Sequence, residues 1–302
     1  MELNNLPEGC IANVLSLTCP RDVCRLSVLS STFRSAADSD AVWDTFLPHD
    51  YQSLLSQSQS QSQSQSLSSK KHLYLSLCQK PLLIHDGKKS FQLDKADGKK
   101  CFMLSARTLF IVWGDTPRYW RWTSLPDARF SEVAELVSVC WLEIRGWINT
   151  TMLSPNTLYA AYLVFKPNPA GTYGFDHQSV QVSIGVAGGD TRKRTVFLDA
   201  ERGRSLRYQI VPRRAGIFNR ARFLPSAVEA PPPAQDTNNN LDLEYPKERG
   251  DGWLEVELGE FLNQGDEDKE VEMGVYEIKS GDWKGGLFVQ GIDIRPKPTP
   301  LN

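Results

Sequence analysis

SLLSQSQSQSQSQSLSSKK, residues 53–71, divides the chain into two parts of different texture. Alternating Ser and Gln offers almost no apolar surface, so folding of this stretch cannot repay its backbone entropy. It reads as a flexible linker over 51–71. Before it, apolar residues recur at helical spacing; well after it, they alternate as in strands.

On the N-terminal side, residues 1–50 predict a small all-α module. Pro7 and Glu8 suit a helix start, and Ile11, Val14 and Leu15 then share one helical face up to Pro20. Val23 and Leu26 mark a second helix, Phe33–Ala37 a third, and Val42, Trp43 and Phe46 a further apolar face after Asp40. About 45 residues make a poor independent core, so this segment is expected to cover apolar surface against a second polypeptide.

On the C-terminal side, 72–99 reads as a connecting segment with a short helix near His72–Gln79, and 100–298 turns to β. Val180, Val182, Ile184 and Val186 alternate with small or polar neighbours, as do Leu142, Ile144 and Ile148. Leu254, Val256 and Leu258 repeat the pattern, then Val271, Met273 and Val275, while Tyr159–Phe165 is a nearly continuous apolar run. Many short strands without long intervening helices predict an antiparallel sandwich. Pro231-Pro232-Pro233 and Asn238-Asn239-Asn240 place a surface loop at 226–250. The fold class expected is α+β, a helical module followed by an antiparallel β-sandwich.

Composition limits the functions to be weighed. A net charge of −2 gives no global attraction to nucleic acid or an anionic membrane, and no apolar run approaches the roughly 20 residues of a membrane span. The six cysteines form no C-x-x-C, and the four histidines lie in no metal or nucleophile motif. No phosphate-cradling or dinucleotide fingerprint occurs, so neither cofactor nor catalysis is expected. Charge is unevenly spread. Residues 192–222 hold ten Lys/Arg against two acids, and 229–282 hold sixteen acids against four bases. Mutual compensation is the simplest account.

One cluster invites a binding role. LFIVWGDTPRYWRW, residues 109–122, brings Trp113, Tyr119, Trp120 and Trp122 within ten positions around a Thr116-Pro117 turn. Trp113 and Trp120, flanked by turn and charged residues, can either project from neighbouring strand ends into one groove or pack in the core. Flat indoles suit the apolar face of a sugar ring, and Asp115 suits its hydroxyls. Trp122 is expected to be core.

LPEGCIANVLSLTCPRDVCRLSVLSSTFRSAADSDAVWDTFLP, residues 6–48, closely resembles the F-box of the plant F-box/phloem-protein-2 family. The resemblance implies a Skp-type adaptor as partner and, through it, a cullin. Leu6, Pro7, Ile11, Leu15, Leu26 and Trp43 match the F-box pattern and would line that contact. From about Phe102 to Lys297 the chain is similar to the phloem protein 2 domain and to Nictaba-like lectins. The motifs are VWGDTPRYWRW, EVAELVSVCWLEIRGWI, YAAYLVFK, DGWLEVELGEF, VEMGVYEI and GGLFVQGIDIRP.

That second resemblance implies a jelly-roll-like sandwich. It also implies binding of N-acetylglucosamine oligomers or N-glycan cores through Trp113 and Trp120. Together the two imply the substrate-recognition subunit of an SCF-type ubiquitin ligase, cytoplasmic and nuclear, that captures a glycoprotein or protein target. An intracellular lectin acting independently of ubiquitination is the alternative.

Overall fold

The computed structural model describes residues 6–58, 69–176, 178–199, 244–265 and 268–298. Helices come first: α1 (Glu8–Ser16), α2 (Pro20–Leu26), α3 (Ser31–Asp38), α4 (Asp40–Asp44) and α5 (Tyr51–Ser56), then α6 (Lys70–Gln79). Local chemistry sets several ends. Pro20 opens α2 at a position where its missing N–H costs nothing. The Ser30 hydroxyl accepts from Phe33 N–H to cap α3, and Ser69 caps α6 through His72 N–H.

The expected 51–71 linker is therefore shorter than read. Tyr51–Ser56 is helical because Leu54 finds a buried place, and Lys70 already belongs to α6. Residues 59–68 lie outside the described residues, and so does most of the 226–250 loop, whose end enters a short strand at Lys247–Glu248.

Two sheets then pack as a sandwich. The larger contains β1 (Leu82–Ile84), β2 (Lys89–Leu93), β3 (Lys100–Ser105), β14 (Leu287–Pro296), β8 (Thr157–Pro167), β12 (Leu254–Asn263) and β11 (Lys247–Glu248), in that order. β6 (Val133–Leu136) also pairs with β14, and β5 (Trp120–Thr123) with β6. The smaller runs β10 (Arg192–Phe197), β9 (Ser179–Val186), β13 (Glu270–Glu277), β7 (Leu142–Asn149) and β4 (Phe110–Ile111). Their inner faces bury Ile144, Ile148, Val182, Ile184, Met273 and Val275 against Leu104, Leu163, Val256 and Ile292. The strand period of two leaves the alternate residues facing outward.

The sandwich begins before residue 100. β1 and β2 form a hairpin whose second strand pairs with β3, so most of 72–99 is structural rather than connecting. In the long ladders, β12 and β14 each carry a register shift, at Gly259 and Gly291. Both glycines have φ near +150°, and a Cβ at Gly291 would collide with Leu104 O, so only glycine fits there.

The helical module does not stand apart. Trp43 of α4 and Tyr74 of α6 lie with ring centroids 5.2 Å apart, and Phe46 joins them. Tyr74 Oη donates to Asp94 O in the β2–β3 turn, and Gln92 of β2 donates to Cys78 O of α6. Lys100 Nζ pairs with Asp50 at 2.9 Å. Each buried ring removes on the order of 150–250 Å² from water, roughly 4–6 kcal/mol at about 25 cal/mol per Å². The opening helices thus share one continuous core with the sheets.

Candidate functional site

The aromatic run 109–122 divides on folding. After β4 the chain makes a tight turn, with Gly114 N–H donating to Ile111 O and Thr116 N–H to Trp113 O. Trp113 occupies the left-handed region at φ 57°, unusual for a bulky residue. Its indole is 44% exposed and lies 5.2 Å from the Tyr119 ring at an angle of 37°. Asp115 is exposed on the same turn.

Trp120 corrects the sequence reading. It starts β5, pairs with Leu136 and is only 2% exposed, so it faces the core and does not join Trp113 in a groove. Its Nε1 has no hydrogen-bond partner among the described residues. Trp122, two residues on, is half-buried as strand parity requires. Its Nε1 donates to Gly114 O at 3.0 Å, and the Arg107 guanidinium stacks over it at 3.7 Å, bracing the turn that carries Trp113.

Other aromatics outside this run are exposed: Trp141, Tyr173 and Trp283. Each is tied to the segment Val137–Glu143, as is the Trp113 turn. Val112 N–H donates to Glu143 O, and Val137 N–H to Tyr119 O. Tyr173 Oη donates to Val137 O, and Trp141 Nε1 to the Glu143 carboxylate at 2.9 Å. Val139 and Lys284 exchange backbone hydrogen bonds, which fixes Trp283 beside them. The backbones that carry these exposed aromatics thus converge on one segment, Val137–Glu143, and these aromatics are together termed the aromatic rim. Of these, only Trp113 is singled out in the sequence; Trp141, Tyr173 and Trp283 are brought in by topology.

A buried ion pair holds this rim. Lys284 Nζ contacts the Glu277 carboxylate and also donates to Asp282 O at 2.7 Å, while Glu277 accepts from Ser280 N–H and Oγ. Burial by itself would raise the Glu277 carboxyl, but the Lys284 ammonium and the Ser280 donors outweigh it and hold the group below the usual glutamate range. No cluster of three or more metal-ligating side chains occurs among the described residues. Nor does any described helix have the length and apolarity to cross a membrane. Of the basic 192–222 run, Arg194 lies within the described residues and pairs with Glu244 and Glu257, in line with local compensation.

In the helical module, three predicted contact residues turn out to be core. Ile11, Leu15 and Trp43 are fully buried, Trp43 with its Nε1 donating to Ala37 O at 2.6 Å. A helix buries the stripe it packs with, and α1 spends that stripe on α3 and α4. Leu6 and Leu26 are half-buried and Pro7 is exposed. The exposed apolar side chains are instead Val14 and Leu17 on and just after α1, with Val28 and Leu29 after α2; Leu17 is 87% exposed.

Comparison with known proteins gives these surfaces a context. Residues 99–296 match the family described as phloem protein 2, and residues 3–45 match the F-box domain. Among relatives, the Arabidopsis thaliana putative F-box protein PP2-B12 is 44% identical, covering 98% of this chain and 99% of that one. F-box protein PP2-B1 and F-box protein PP2-B10 from the same plant are each 42% identical over 97% of this chain, covering 89% and 93% of theirs.

Proposed function

Because the chain belongs to the family of F-box proteins carrying a phloem protein 2 domain, we propose that it is the target-selecting subunit of an SCF-type ubiquitin ligase. Its F-box contacts a Skp-type adaptor, and through it a cullin, by way of Val14, Leu17, Val28 and Leu29 with Leu6, Pro7 and Leu26 at the margin. The β-sandwich captures a glycoprotein or protein through the aromatic rim. The protein contributes proximity: tethering a target beside the transferred ubiquitin raises its effective concentration.

One observation carries the reading. Both ends expose large apolar side chains that a free-standing protein would bury, four on the helical module and an aromatic group on the sandwich. The rim favours sugar as the recognised chemistry, since Trp113 and Trp141 expose flat indoles and the turn that carries Trp113 also exposes the Asp115 carboxylate. Pull-down of a Skp-type adaptor by the wild-type chain and by Leu17→Glu/Leu29→Glu tests the first half. Equal recovery by both would overturn it. A glycan array tests the second; no signal above background would point to recognition of peptide.

A further inference from the structure

Resting on the sugar-binding reading above, we propose that the outward face of the β10–β9–β13–β7–β4 sheet is a path for an uncharged oligosaccharide several units long, with Tyr276 as its central platform. Two adjoining depressions of about 430 and 150 Å³ lie on this face and share Gln181, Tyr276 and Ile278. Register makes their floor continuous. Thr195, Gln181, Tyr276 and Glu143 face one another in a single row across β10, β9, β13 and β7. The neighbouring row is Lys193, Ser183, Gly274, Arg145 and Phe110.

Gly274 sits at the middle of that second row. A Cβ there would collide with the phenol ring of Tyr276, so the glycine leaves the space in which the ring lies down along the sheet. A ring lying along a sheet offers its face, the surface on which the apolar side of a pyranose stacks, and the Arg145 guanidinium, 5.7 Å from the ring centroid, borders that face. Around it stand an amide and two hydroxyls, Gln181, Ser183 and Thr195, each able to donate and to accept. The charges of the floor come in opposite signs, Lys193 and Lys279 against Glu272 and Glu277, with Arg145 paired to Glu143 and Glu272, so the floor has no bias toward a phosphate or a polyanion. This chemistry suits hydroxyl-rich, neutral chains.

The path joins the rim. Glu143, at one end of the first row, accepts from Trp141 Nε1, and its carbonyl holds the turn bearing Trp113. Four strand spacings separate β10 from β4, roughly 19 Å at about 4.8 Å each. That span accommodates a chain of sugars rather than one ring, with the rim gripping one end and Tyr276 supporting its interior.

Calorimetry on the full chain with N-acetylglucosamine, its trimer and its pentamer tests this. Affinity is expected to rise with length. Tyr276→Ala, and Gln181→Arg as an obstruction that keeps the packing, should each weaken the pentamer at least tenfold while thermal unfolding stays unchanged. Trp113→Ala should weaken every length. Binding of the pentamer that survives both sheet substitutions but is lost in Trp113→Ala overturns the path and leaves the lectin reading standing. Absence of binding at every length removes both.

Discussion

The Lys284 ammonium and the Glu277 carboxylate meet with both side chains out of water, and between them they hold the loop that carries Trp283 and the strand entry that carries Trp141. Removing one partner of such a pair strands the other. Lys284→Met is expected to cost about 3–5 kcal/mol, and adding Glu277→Gln to recover much of that loss. Urea unfolding of the two variants checks it; a midpoint unchanged in Lys284→Met would mean the pair is hydrated.

Trp113 and Trp120 should behave as opposites despite their sequence proximity. Trp113→Ala removes an exposed ring and is expected to leave the unfolding midpoint within about 0.5 kcal/mol of wild type, while reducing glycan binding. Trp120→Ala opens a hole beside Leu136 and is expected to cost about 3–5 kcal/mol. Thermal unfolding and glycan binding measured on the same samples separate the two effects.

Trp43→Ala is expected to impair adaptor capture by damaging the fold. It empties the space against Tyr74 and Phe46 and should destabilise the whole chain by about 3–5 kcal/mol. Leu17→Glu/Leu29→Glu should abolish capture with no loss of stability. Comparing unfolding curves with pull-down recovery decides between contact and core. Stable, non-binding Trp43→Ala protein would restore that residue to the interface.

Acid should unfold the sandwich by discharging a network on the outward face of the larger sheet. Burial would raise the Asp293 carboxyl, but Arg249, Arg295 and Arg129 outweigh it and hold it below the usual aspartate range. Glu257 is lowered against burial by Arg194 and Lys297. Groups depressed on folding stabilise the native state above their unfolded values, near 4, and lose that contribution as the pH falls through the folded ones. The midpoint should therefore hold level above about pH 5 and fall below about pH 4. Asp293→Asn is expected to lower stability at neutral pH and to flatten the acid slope.

Much of the architecture was legible because it rests on long periodic runs. Ser179–Val186, Leu142–Asn149, Leu254–Asn263 and Glu270–Glu277 became strands over the stretches where apolar residues alternate. β1 and β2 were missed because three and five residues give too few repeats, and their hairpin turns through His85, Asp86 and Gly87, all at positive φ. The site was legible only in part. Alternation shows that Trp120 and Trp122 share a face but not which face, and that is decided by pairing with β6. Helical spacing likewise identified the apolar stripe of α1, while its assignment to an internal or an external partner depended on where α3, α4 and α6 came to lie.

Tyr74 has a further consequence for how this chain is divided. It belongs to a helix C-terminal to the Ser/Gln tract, yet its ring is roofed by Trp43 and Phe46 from the other side of that tract, while its hydroxyl is tethered to the β2–β3 turn. Excising the first fifty residues would bare a greasy socket on whatever fragment remained, and the fragment would be prone to aggregate. A captured target, in turn, would be offered to the ligase at a set angle and distance, so that only some of its lysines could be reached.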